Sequence, residues 1–138
     1  MKANEIRLNN IFSQKGFPMY VEAIFRDTVY LNFEGNEGDV WEEDIKDLVP
    51  IPLTEEILLK AGFEKESEDD KYGRVFLIPN TKYIIRVVNY GNPQKVDFGF
   101  SLEISDDKDW CSIKRIYFIH DLQNTIFALT GEEIKIEL

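Results

Sequence analysis

Residues 51–63 read IPLTEEILLKAGF, and they divide the chain. Thr54 stands where a helix N-cap belongs, because its hydroxyl can accept from a free backbone N–H of the first turn. Glu55 and Glu56 follow at the positive end of the helix dipole. Leu53 and Leu58 have the spacing of a hydrophobic staple. Gly62 suits the left-handed position that ends a helix, with Phe63 folding back toward Leu58. These signals predict a short helix of about two turns. Pro50 and Pro52 make the approach stiff and extended, which marks a boundary between two subdomains.

Upstream, Ile11-Phe12, Tyr20–Phe25, Thr28–Phe33 and Val40-Trp41 are rich in aromatic and β-branched residues. Gly16, Asp27 and the run Glu34–Asp39 punctuate them, so residues 1–52 are expected to form a small SH3-like β-barrel or curled meander. Asp27-Thr28 is a tight link that predicts a hairpin. Downstream, Glu64–Asp70 reads as a solvated acidic connection. Arg74–Ile78, Tyr83–Val88, Val96–Ile104 and Trp110–Ile113 read as strands, with Pro79-Asn80-Thr81, Gly91-Asn92-Pro93 and Ser105–Asp109 as turns. In the third strand Val96, Phe98, Phe100, Leu102 and Ile104 alternate with Asp97, Gly99, Ser101 and Glu103. That period of two predicts one face on the core and one in water.

Residues 116–134, IYFIHDLQNTIFALTGEEI, place Phe118, Ile119, Leu122, Ile126 and Leu129 on one helical stripe. Gly131 ends that helix, and Ile134–Leu138 is expected to return as a terminal strand. The expected fold class is α+β: a β subdomain over 1–52, packed with an α+β subdomain over 53–138. The second subdomain would contain a helix, an antiparallel sheet of three to four strands, a helix and the last strand.

Composition bounds the function. The 138 residues carry 16 Lys plus Arg against 26 Asp plus Glu, for a net charge of −10. Residues 1–53 hold 5 basic and 10 acidic side chains, and residues 54–138 hold 11 and 16, so both parts come to −5. Nucleic-acid binders gain most of their affinity by neutralising phosphates, which makes nucleic acid and anionic membrane surfaces poor partners for this chain. The balance favours solubility and a basic protein partner. A lone Cys111 cannot form an internal disulfide, which fits a reducing compartment. The opening MKANEIRLNN lacks the apolar segment of a signal peptide, and no stretch is long enough to span a bilayer. The expected location is the cytoplasm, with no membrane association.

No catalytic, cofactor-binding or metal-binding pattern stands out. Walker, dinucleotide-binding, zinc and nucleophile-elbow spacings are absent. Asp106, Asp107 and Asp109 lack the glycine and closing glutamate of a calcium loop. Cys111 beside Trp110 reads as a small core residue, with Lys114 and Arg115 the nearest groups that could activate it. One feature is not explained by packing on the apolar stripe. His120, Gln123, Asn124 and Phe127 form a second, polar and aromatic face of the last helix, the first choice for an interaction surface.

Three stretches carry a resemblance: ANEIRLNNIF (3–12), IPLTEEILLKAGFEK (51–65) and IHDLQNTIFALTGEEI (119–134). Together they resemble a family of short uncharacterised proteins encoded by prophages and mobile elements of gut anaerobic bacteria. In that family a glycine is more usual at the position of Asn9. The resemblance implies membership and a phage or mobile-element setting, and it implies no activity. The leading functional expectation is therefore a non-enzymatic protein-interaction module with no cofactor. The alternatives are a nucleic-acid-associated small-barrel protein, an acidic nucleic-acid mimic and, third, an enzyme with an unrecognised site.

Overall fold

The computed structural model describes residues 1–69, 73–88, 99–105 and 109–138. In chain order the strands β1 (Ile11–Gln14), β2 (Phe17–Ile24), β3 (Thr28–Asn32), β4 (Trp41–Asp44) and β5 (Val49–Pro50) precede helix α1 (Glu55–Lys60). Strands β6 (Glu64–Asp69), β7 (Gly73–Leu77), β8 (Tyr83–Val88), β9 (Gly99–Ser105) and β10 (Trp110–Ile116) come next, then helix α2 (Ile119–Thr130). The chain divides into two compact units: Met1–Pro52 with Phe118–Glu133, and Leu53–Tyr117 with Ile134–Leu138.

The first unit is built on an antiparallel sheet of order β4-β3-β2-β1-β5. Lys15 (φ 49°) and Gly16 (φ 85°) both occupy the left-handed region, as a tight β1–β2 hairpin turn requires. The predicted β2–β3 hairpin forms, with a bulge between Val21 and Ala23. The inward row Phe12, Met19, Val21, Val29 and Leu31 packs with Ile6, Ile45 and Leu48, the last two being the first residue and the C-cap of a 3-10 turn at Ile45–Asp47. Helix α2 packs on β1. The chain re-enters this unit through a bridge between Pro52 and Phe118 and through Ile119 N–H donating to the Ile51 carbonyl at 3.0 Å.

The second unit is a five-stranded antiparallel sheet of order β10-β9-β8-β7-β6, preceded by α1. The predicted caps of α1 are present. Thr54 Oγ1 accepts from Ile57 N at 3.2 Å, Gly62 has φ 86°, and Phe63 N–H donates back to the Leu58 carbonyl at 3.1 Å. Phe76, Ile85 and Leu102 align across β7, β8 and β9, and all three are fully buried.

The α+β expectation is corrected, because the described chain is mostly antiparallel β, in two five-stranded sheets with only two α-helices. Three local reasons account for the difference. Glu64–Asp69, read as an acidic loop, pairs with Gly73–Leu77 as the edge strand β6, where one side of the ladder is free and charge is tolerated. Ile134–Leu138 forms no strand. Its alternation selects one face, on which Ile136 is buried, but alternation supplies no partner edge. In residues 1–52 it is the meander that forms and not a closed barrel: β1 to β4 pair in chain order, β5 adds beside β1, and β4 and β5 end the row without pairing to each other, an open half-barrel.

The expected water face of β9 is corrected too. Ser101 and Glu103 are 5% and 8% exposed. Burial is tolerated because both are paired. Arg86 Nε donates to the two Glu103 carboxylate oxygens at 3.1 and 3.3 Å, and the Ser101 and Ser112 hydroxyls lie 2.9 Å apart. Val96, Asp97, Phe98, Gly91-Asn92-Pro93, Asp106 and Asp107 lie outside the described residues.

Candidate functional site

The polar face of α2 meets the N-terminal segment of its own unit. Asn9 has φ 71°, a left-handed turn that asparagine tolerates better than most residues. That turn leaves the Asn9 carbonyl and the Ile11 N–H facing α2, and the Gln123 amide spans both. Gln123 Nε2 donates to Asn9 O at 2.9 Å while Gln123 Oε1 accepts from Ile11 N at 3.0 Å. Asn124 repeats the device one residue later, accepting from Asn10 Nδ2 at 2.8 Å and donating to the Glu5 carbonyl at 2.9 Å. Asn10, buried, in turn accepts from Arg7 N at 2.9 Å.

Phe127 lies under the Arg7 guanidinium, whose carbon is 3.5 Å from the ring centroid, and Arg7 also pairs with Glu133 at 2.6 Å. His120 is buried, with its ring 4.8 Å from Phe12 and 5.9 Å from Phe118, centroid to centroid. The structure thus brings His120, Gln123, Asn124 and Phe127 together on one helix face. It directs them at residues 5–12 of the same unit, where they fasten the helix to the start of the sheet.

The other residues singled out by sequence are dispersed. Cys111 is exposed on β10 and Trp110 is 44% exposed, which corrects the core assignment. No strand among the described residues pairs with the outer side of edge strand β10. Among the described residues no group of three or more His, Cys, Asp or Glu side chains could hold a metal ion. Among them, too, no helix is long and apolar enough to cross a membrane.

An exposed acidic and aromatic surface lies on the β3–β4 hairpin. Residues 33–44 hold six acidic side chains and no basic one. The rest of residues 1–53 hold four acidic and five basic side chains, so the evenness of charge between the halves conceals a strong local concentration. Within the segment two aromatic rings remain in the open. Phe33 and Trp41 are each 41% exposed, with centroids 6.1 Å apart.

The loop between these rings is held by asparagines. Buried Asn32 accepts from Phe33 N at 2.9 Å and from Asn36 Nδ2 at 2.7 Å, and it donates to Glu22 Oε1 at 3.3 Å. Asn36 Oδ1 accepts from Gly38 N at 3.0 Å, and Gly35 takes φ 87°. Glu34, Glu37 and Asp39 are therefore exposed on a loop pinned by hydrogen bonds, beside an aromatic pair. Strand β4, which starts at Trp41, is an edge of its sheet. A sequence signal for this site existed: two aromatics bracketing an acidic, base-free stretch. Thr28–Phe33 and Val40-Trp41 carry strand signals as well, and the same aromatic residues serve both.

The chain matches no family model, no curated protein and no solved structure.

Proposed function

We propose that this protein is a non-enzymatic interaction module that takes up a basic segment of a partner protein on the β3–β4 hairpin. The observation that carries the reading is the exposed Phe33 and Trp41 pair set in a segment with six acidic side chains and no basic one. Aromatic side chains give large contact area at low entropic cost and dominate binding hot spots. A Lys or Arg from the partner gains on such a ring by cation–π attraction. The surrounding carboxylates steer it in and reject acidic competitors. The Asn32 and Asn36 hydrogen bonds lower the cost of ordering the loop on binding. Residues 3–12, 51–65 and 119–134, with their resemblance to proteins of phages and mobile elements, support a setting in the bacterial cytoplasm during the life of such an element.

The test is selection of a random peptide library on the immobilised protein. Enriched peptides should carry several Lys or Arg residues, and they should be lost on a Phe33→Ser/Trp41→Ser double variant of unchanged melting temperature. Enrichment of neutral or acidic peptides, or equal retention by the double variant, refutes the proposal.

A further inference from the structure

A cleft of about 430 Å³ opens in the first unit, between the N-terminal 3-10 turn at Ala3–Glu5, the β2–β3 turn and the end of β4. Its lining includes Lys2, Arg26 and Lys46, three of the five basic side chains in residues 1–53. None of the three forms an ion pair among the described residues. Asp27, Asp44 and buried Ile45 complete the lining with Met1 and Ala3. The charged lining side chains are three basic and two acidic, a positive balance in a chain of net charge −10.

Backbone hydrogen bonds hold together the segments that carry these cations, while the three side chains themselves are exposed. The Asp27 carbonyl accepts from Ile45 N–H at 2.9 Å, which clamps Arg26-Asp27 against Ile45-Lys46. Lys2 N–H donates to Glu5 Oε2 at 2.6 Å, and neighbouring Ala3 packs on the core. Three chain segments distant in sequence are thereby held around one space. Its volume falls within the range of small-molecule sites, which begins at about 300 Å³.

We infer that this cleft binds a small molecule bearing an oxyanion, a phosphate ester or a carboxylate, together with hydroxyl or amino groups. The oxyanion lies among Lys2, Arg26 and Lys46. Asp27 and Asp44 accept from the ligand's hydroxyl or amino donors and disfavour a polyanion such as nucleic acid. This site differs in ligand chemistry from the aromatic pair of the β3–β4 hairpin and shares only Asp44 with its acidic segment, so each can fail without the other.

The experiment follows backbone amide NMR shifts of the whole chain during titration with inorganic phosphate and, in a second arm, citrate, each against sodium chloride of matched ionic strength. Saturable shifts at Ala3, Asp27 and Lys46 are expected. Charged hydrogen bonds of the usual strength predict about tenfold or greater weakening in Arg26→Gln/Lys46→Gln, and no change in Lys15→Gln. Saturation by phosphate alone identifies a phosphate ligand, and by citrate alone a carboxylate ligand; both support the site. Shifts no larger than those with chloride, or shifts kept by the double variant, overturn it.

Discussion

Removing the Gln123 amide tests the bond between α2 and the first sheet. Its side chain, 4% exposed, satisfies two backbone groups of the N-terminal segment at 2.9 and 3.0 Å. In Gln123→Ala the Asn9 carbonyl and the Ile11 N–H each lose a partner, and a buried group left unsatisfied costs about 1–3 kcal/mol. Alanine returns about 0.5 kcal/mol of helix propensity. Because Asn9 is exposed and Ile11 half-buried, water recovers part of the cost, and the net loss should be about 1–3 kcal/mol. Gln123→Met, which keeps the volume but not the bonds, should lose nearly as much.

The assay is urea unfolding followed by Trp41 fluorescence in a Trp110→Phe background, since each unit contains one of the two tryptophans. With a slope of about 2 kcal/mol per molar urea, the midpoint should fall by roughly 0.5–1.5 M. The Ile11 amide should also lose hydrogen-exchange protection. A midpoint shift below about 0.3 M, or a Gln123→Met variant as stable as the parent, would refute the view that these bonds hold the helix.

Three further outcomes are expected. Asn9→Gly should be neutral or stabilising, whereas Asn9→Val should cost more than about 1 kcal/mol, because a β-branched residue resists φ 71°; thermal melts of both decide it. Thr54→Ala should cost about 1 kcal/mol by loss of the cap to Ile57 N, read from the unfolding midpoint of the second unit by Trp110 fluorescence in a Trp41→Phe background. Arg86→Met alone should cost about 3 kcal/mol by stranding the Glu103 carboxylate, and Arg86→Met/Glu103→Leu should recover most of it, in the same assay.

Local structure was legible where one residue type has one mechanical use. Thr54, Gly62 and Gly131 cap their helices as their chemistry dictates, and Gly131 takes φ 74°. Asn9 makes the left-handed turn that stands in for glycine. What misled was the identification of polarity with exposure. Ser101 and Glu103 are polar yet buried, because partners on β8 and β10 satisfy them from a distance in sequence that no local pattern reports. Glu64–Asp69 is acidic yet a strand, because an edge needs only one side of its ladder paired.

The candidate site divides the same way. The unusual face of α2 was visible as His120, Gln123, Asn124 and Phe127, but its targets at Glu5, Asn9, Asn10 and Ile11 lie more than a hundred residues away. The exposed ring pair at Phe33 and Trp41 required knowing that neither ring is covered in the fold, which composition alone does not reveal.

Titration of the protein with a library-selected basic peptide, at several salt concentrations and followed by calorimetry, tests the central claim most directly. The account predicts saturable binding that weakens as salt rises. Affinity should fall about tenfold or more in Phe33→Ser/Trp41→Ser and in Glu34→Gln/Glu37→Gln/Asp39→Asn, since each set removes a hot-spot contribution of about 1.4 kcal/mol or more. Binding that is indifferent to salt, or unchanged in both variants, would contradict it.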